Sequence, residues 1–143
     1  MKNIKENATL NLVSIQNNGE ENEKMEFSSR GSFNIRNGKK YITYKEHSDM
    51  GMGDSSVMLK IEKDLITMRR TGEFATVMVY DIAKVTEFIY RVPFGTMNMK
   101  IKTLEIRDEL SEDGGELAFS YLLFVNGETV NTEIKICVKT ERN

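Results

Sequence analysis

Arg70 is the residue whose position in this sequence most clearly suggests a binding site. It follows Ile66 and Met68 at two-residue spacing, the period of a β-strand, so all three side chains are predicted to face the interior of a sheet. A buried guanidinium is costly unless an anion pairs with it. We therefore treat Arg70 as a candidate anchor for the carboxylate of a ligand. If the strand has the opposite parity, Arg69 takes its place.

Tyrosine and methionine side chains are predicted to share that interior. Tyr44 and Glu46 lie on one face of an earlier strand, and Tyr90 and Tyr121 lie on the inward faces of two later strands. Phenolic hydroxyls can hold a carboxylate, and flexible thioethers can contact an apolar tail. The predicted ligand site comprises Arg70, Tyr44, Glu46, Tyr90, Tyr121, Met68 and Met99.

The same residues also have a purely structural interpretation. Arg70 would close one end of a barrel by pairing with an acid or with backbone carbonyl groups. The nine methionines would fill a core that has no tryptophan. An enzymatic interpretation requires catalytic carboxylates in the interior, such as Glu46 or Glu73, and nothing in their spacing demands it.

The composition gives little support to nucleophilic or metal chemistry. The chain has one histidine, His47, and one cysteine, Cys137, whereas an ordinary zinc site needs several nitrogen and sulfur ligands. With one histidine and one cysteine, the chain also has few residues that could form a catalytic pair of nucleophile and base. We therefore predict no catalytic residue, no metal, no cofactor and no enzymatic activity.

Charge and hydropathy argue against several classes of protein. Twenty basic and 22 acidic residues give a net charge of −2, which provides no field to attract nucleic acid. The first residues lack the apolar core of a signal peptide, and the longest apolar run, 121–125, is too short to span a membrane as a helix. We expect a cytoplasmic protein that binds neither nucleic acid nor a membrane.

The site residues need strands to position them, and hydropathy predicts nine or ten. Apolar and polar residues alternate in short segments, most regularly in 24–36 and 130–139. Asn37-Gly38 and Asn126-Gly127 are strong signals for two-residue hairpin turns. These features predict antiparallel strands joined by tight turns, with no convincing helix.

Two irregularities interrupt the alternation. After Thr103 the apolar phase shifts to Leu104 and Ile106, which predicts a β-bulge or a sharp bend. Pro93, the sole proline, is expected at a strand end, where no backbone N–H is missed.

A meander of this kind must protect its edges, and closure into a barrel does so. We predict an all-β fold, an antiparallel up-and-down β-barrel of about eight to ten strands, in one domain that covers residues 1–143. A two-sheet sandwich is the competing architecture. Hairpins between near neighbours favour the barrel.

Four ordered segments carry a resemblance to a known family. In order they are Tyr41-Ile42-Thr43-Tyr44-Lys45-Glu46, Arg70-Thr71-Gly72-Glu73, Tyr90 with Pro93-Phe94-Gly95, and Ser120-Tyr121-Leu122 before a hairpin. Together they resemble the YwiB-like proteins, a small uncharacterised bacterial family. The resemblance covers nearly the whole chain and implies a lipocalin-like, calycin-type β-barrel. It implies no catalytic residue, because no activity of the family is established.

One predicted strand, 116–125, is apolar on both faces. If alternate residues fill the interior, Leu122 and Phe124 point outward, and an exposed apolar patch usually marks an interaction surface. We expect a homodimer in which this patch packs across a twofold axis together with Val77 and Val79. Alternatively, the first sixteen residues fold over this face.

Two functions are therefore predicted. The leading one is non-enzymatic binding of a small amphipathic or carboxylate-bearing ligand in a lipocalin-like barrel. The alternative is a protein-interaction module with a solid core, whose apolar outer face serves homodimerisation or partner binding. An interior hollow of about 300 Å³ or more would favour the ligand, and dense packing would favour the module.

Overall fold

The computed structural model describes residues 6–46, 55–72, 75–92 and 94–141. His47, Glu73 and Pro93 lie outside these ranges. Regular structure in the described ranges consists of β-strands, and none of it is a helix long and apolar enough to cross a membrane. The strands are β1 (Ala8–Asn17), β2 (Asn22–Arg36), β3 (Lys39–Glu46), β4 (Ser55–Glu62), β5 (Leu65–Gly72), β6 (Thr76–Asp81), β7 (Thr86–Val92), β8 (Gly95–Ser111), β9 (Gly114–Val125) and β10 (Glu128–Thr140).

The ten strands form one antiparallel sheet that closes almost completely into a barrel. The hydrogen-bonded order is β6-β5-β4-β3-β2-β1-β10-β9-β8-β7, so the first and last strands of the chain pair with each other. β6 and β7 are the two ends of this order and face each other across a seam. The predicted all-β antiparallel barrel is confirmed, with ten strands.

Alternation places one face of each ladder in a common core, as the pleat of a strand requires. The two predicted hairpin turns are confirmed, because Asn37 and Gly38 have φ of 53° and 76°, and Asn126 and Gly127 have φ of 50° and 78°. Fully buried core residues include Ile42, Val57, Ile61, Ile66, Ile101, Leu117 and Ile136.

The predicted irregularity in β8 is a β-bulge. Thr103 pairs with Tyr121 and Glu105 pairs with Ser120, so Leu104 is the extra residue and is 45% exposed. Because of this insertion, Thr103 before the bulge and Ile106 after it both face the interior, and the alternation in the sequence changes phase there. The expectation that Leu104 shares the inward phase of Ile106 is wrong, because Leu104 is the extra residue and points outward.

Gly31 lets β2 serve two ladders. It pairs with Ala8 of β1 and with Tyr44 of β3, at the point where β2 passes from one partner to the other. A Cβ at this position would lie 2.2 Å from the carbonyl oxygen of Thr43 and 2.8 Å from Cδ1 of Leu10. The close approach of the strands therefore requires glycine.

The outer face of β9 differs from the expectation in part. Leu122 and Phe124 do point outward, but they are half-buried, and their cross-strand neighbours on β8 are Lys102 and Lys100. The aliphatic stems of such lysines can cover apolar neighbours. The alternative that the first sixteen residues cover this face is wrong for β1, which inserts between β2 and β10.

Candidate functional site

The barrel interior contains a partly open cavity of about 390 Å³. It lies toward the end of the barrel where β3 and β5 finish and β6 begins. Its wall is mainly apolar and includes Leu12, Phe27, Met78, Phe88, Phe119 and Ile134. The cavity is therefore larger than the volume of about 300 Å³ that favours a ligand over a solid core.

The structure brings all the predicted site residues to this one cavity. Its lining includes Arg70, Tyr44, Glu46, Tyr90, Tyr121, Met68 and Met99. The parity assumed for β5 holds, because the side chain of Arg70 is only 12% exposed, whereas Arg69 is exposed on the outer face.

Arg70 and Glu46 form a buried ion pair at the edge of the cavity. Nε of Arg70 donates to Oε1 of Glu46 at 2.8 Å, and Nη2 donates to Oε2 at 3.3 Å. The pair spans β4, because Val57 lies in register with both Tyr44 of β3 and Arg70 of β5. Burial opposes the charge of Arg70, but the hydrogen bond and charge of Glu46 outweigh it and raise the pKa of the guanidinium.

This ion pair is the contact that the structural interpretation of Arg70 requires. Among the contacts of the described residues, two of the five N–H donors of the guanidinium bind Glu46, which leaves hydrogen-bonding capacity at the edge of the cavity. The guanidinium can therefore stabilise the barrel and still donate to a ligand.

Aromatic side chains form the inner wall of the cavity. The ring of Tyr80 lies 4.9 Å from that of Phe119 and 4.8 Å from that of Tyr121, measured between centroids. Tyr44 packs near Phe27, with ring centroids 6.0 Å apart. Such tilted pairs are favourable beyond the area they bury.

The phenols in this wall are uncharged hydrogen-bonding groups. Burial is the main cause that raises the pKa of Tyr44, Tyr80 and Tyr121, and the charge of Glu46 adds to the effect at Tyr44. At neutral pH each hydroxyl can both donate and accept a hydrogen bond.

Tyr80 also lines the cavity, although it was not among the predicted site residues. It shares the parity of Met78 on β6, opposite to that of Val77 and Val79, which were expected on the outer face. That alternation was the signal that could have identified it.

The opposite end of the barrel is closed by a second ion pair. Nζ of Lys40 lies 2.9 Å from Oδ2 of Asp108 and donates to the carbonyl oxygen of Leu110 at 2.7 Å. Ile61 and Ile66, which flank the turn between β4 and β5, are almost completely buried there. A ligand in the cavity would therefore meet a closed floor.

Comparison with known proteins gives a family and a fold. Residues 10–136 match the family model described as a domain of unknown function, DUF1934. The uncharacterized beta-barrel protein YwiB of Bacillus subtilis (strain 168) is 24% identical over 120 residues, which are 84% of this chain and 83% of that protein. The crystal structure of the ywiB protein from Bacillus subtilis superposes with a TM-score of 0.81 at 23% identity, over 96% of this chain and 93% of that one.

Proposed function

We propose that this chain, which belongs to the DUF1934 family, binds a small amphipathic molecule in the interior of its barrel without transforming it. The family membership confirms the predicted resemblance to the YwiB-like proteins. It supplies no activity, so the proposal is made from the site. The observation that carries this proposal is the cavity of about 390 Å³. Pockets for small molecules are concave and mostly apolar, with a few placed polar groups, and this cavity has that composition.

The cavity and its ion pair lower the stability of the barrel relative to a solid apolar core. Unfilled apolar space loses dispersion contacts, and a buried ion pair is often less stabilising than apolar residues of the same volume. Both features occur in the same region of this interior. A ligand with an apolar body and a polar end would fill the space and use the remaining donors of Arg70.

Native mass spectrometry of the protein purified from its own host tests the proposal. We expect a non-covalent small molecule that travels with the folded barrel and is released on denaturation. Its absence, together with failure to bind the neutral fluorescent dye N-phenyl-1-naphthylamine, would contradict ligand binding.

A matched pair of variants locates the ligand. Met99→Trp places an indole in the cavity, and Asn98→Trp places the same ring on the exposed outer face of β8. We expect the first variant to lose the bound molecule and the second to retain it. Circular dichroism establishes that both remain folded.

The outer face supports a second candidate function, which is homodimerisation or binding of a protein partner. Exposed apolar side chains gather on both sides of the seam: Val77 is 40%, Val85 is 50% and Ile89 is 58% exposed. A cluster of this kind is typical of interaction surfaces. The same native mass spectra report the oligomeric state. A protein that stays monomeric at high concentration would contradict homodimerisation.

A further inference from the structure

The charge balance of the cavity restricts the ligand that it can bind, an argument that rests on the proposed binding function. Of the described residues that line the cavity, Arg70 and Glu46 are the ones with charged side chains. Glu46 is only 7% exposed and lies 2.8 Å from the guanidinium, so the positive charge is already balanced by the chain itself. Within the described lining, an ion therefore finds no net counter-charge.

An ionised ligand would add a third charge to this balanced pair. A carboxylate that reached Arg70 would lie close to the carboxylate of Glu46, and an ammonium would lie close to the guanidinium. Like charges brought together in a poorly hydrated interior are strongly unfavourable. A neutral polar group avoids both repulsions.

The hydrogen-bonding groups at this end match a carbonyl group. Arg70 has N–H donors that do not bind Glu46, and Tyr44 lies two residues before Glu46 on the same face of β3. A carbonyl oxygen accepts from donors of this kind, and an amide N–H donates to a carboxylate oxygen. An amide would thus use both members of the ion pair without disturbing it.

We infer that the ligand is a neutral amphipath whose polar end is an amide, and that Glu46 is the specificity-determining residue that excludes free acids. Arg70 is then a donor to the carbonyl oxygen and not the counter-ion of a carboxylate.

Displacement of N-phenyl-1-naphthylamine by three ligands of equal chain length tests this inference. Decanamide is neutral, whereas decanoate and decylammonium carry opposite charges at pH 8. We expect decanamide to displace the dye at a concentration at least about tenfold lower than either ion, since like-charge repulsion readily amounts to one decade of affinity.

Two glutamate variants separate the role of Glu46 from a general charge effect. In Glu46→Gln no carboxylate balances the charge of the guanidinium. The affinity for decanoate should therefore increase at least about tenfold relative to the affinity for decanamide. Glu62→Gln removes the same charge from the outer face of β4, near the closed end of the barrel. This variant should bind the three ligands with the same order of affinity as the wild type.

Each outcome has a distinct meaning. If the wild-type barrel binds decanoate as tightly as decanamide, the inference is overturned and the binding function stands. If neither the dye nor any of the three ligands binds, the result contradicts both the proposed function and the inference that rests on it. Should Glu46→Gln not fold, the wild-type series still decides the inference.

Discussion

The ion pair between Arg70 and Glu46 places two charges where a small barrel could hold apolar side chains. Its two side chains are 12% and 7% exposed, so water solvates neither of them well. The attraction within such a pair roughly offsets the cost of desolvation, but removal of one partner leaves an uncompensated buried charge. The two residues should therefore depend on each other for stability.

Substitution of one partner should cost more than substitution of both. We expect Arg70→Met to lower the free energy of unfolding by about 3 kcal/mol at pH 7, and the double variant Arg70→Met/Glu46→Leu to recover to within about 1 kcal/mol of the wild type. Urea denaturation monitored by circular dichroism measures both values.

A second arginine provides the control for this cycle. Arg30 pairs with Glu141 at the surface, where the side chains are 49% and 47% exposed, so Arg30→Met should change stability little. A single variant Arg70→Met as stable as the wild type would contradict the dependence between Arg70 and Glu46.

Residue parity predicted which side chains meet in the cavity but not how they pair. Alternation alone placed Arg70 on the inward face of its strand and Tyr44 and Glu46 on one common face of theirs. The ion pair depends in addition on the register of β3, β4 and β5, which fixes which position of one strand lies opposite which position of the next. Hydropathy does not encode that register at single-residue precision, so the sequence left ligand binding and internal pairing as alternatives.

Among the elements, β6 and β7 are distinguished by the seam between them. In the described part of the chain they share no backbone ladder, and two threonine hydroxyls cross the gap instead. Thr76 Oγ1 donates to the carbonyl oxygen of Ile89 at 3.3 Å, and Thr86 Oγ1 donates to that of Val79 at 2.5 Å. The barrel is therefore held together at this point by side chains.

The connection between these strands explains why the sequence did not reveal the seam. The N–H of Ile82 donates to the carbonyl oxygen of Asp64, in the turn between β4 and β5, at 3.2 Å. The N–H of Ala83 donates to the side chain of Asp81 at 2.8 Å. This connection is thus anchored to the neighbouring turn and does not form a tight hairpin, whereas alternation within the two strands looks the same in either case.

Loss of a seam hydroxyl should loosen these two strands selectively. We expect Thr86→Val to cost about 1 kcal/mol of stability, the value of one hydrogen bond, and to speed amide hydrogen exchange in β6 and β7 more than in β10. Hydrogen exchange followed by mass spectrometry measures the change strand by strand.

Thr129→Val is the matched control for the seam. It makes the same substitution at an exposed position of β10, and it should leave exchange in β6 and β7 unchanged. Equal exchange in all ten strands of Thr86→Val would show that the seam is no weaker than the rest of the barrel.

For the molecule as a whole, the sequence predicted closure but not the hollow. Closure follows from many independent alternating segments, so errors at single positions do not alter it. Whether the interior is filled depends on how side chains from all ten strands meet, and Met68, Met99 and Tyr121 could equally fill a core or line a cavity. The volume is a property of the assembled barrel alone.

The buried phenols make the stability of the whole barrel sensitive to alkali. Tyr44, Tyr80 and Tyr121 have raised pKa values, mainly because of burial, whereas a tyrosine in the unfolded chain ionises near pH 10. Below pH 10 both states keep these protons and stability is unaffected. Above pH 10 the unfolded state loses protons that the folded state retains, so the free energy of unfolding decreases.

We expect that decrease to be at most about 1.4 kcal/mol per pH unit for each of these tyrosines. Urea unfolding at pH 9, 10 and 11, followed by the ultraviolet absorbance of tyrosinate, measures the slope and relates ionisation to unfolding. Tyr80→Phe removes one of the three groups and should give a shallower decline than the wild type. If the phenols ionised near pH 10 while the barrel stayed folded and equally stable, the interior would be open to water, and an apolar ligand would gain little by entering it.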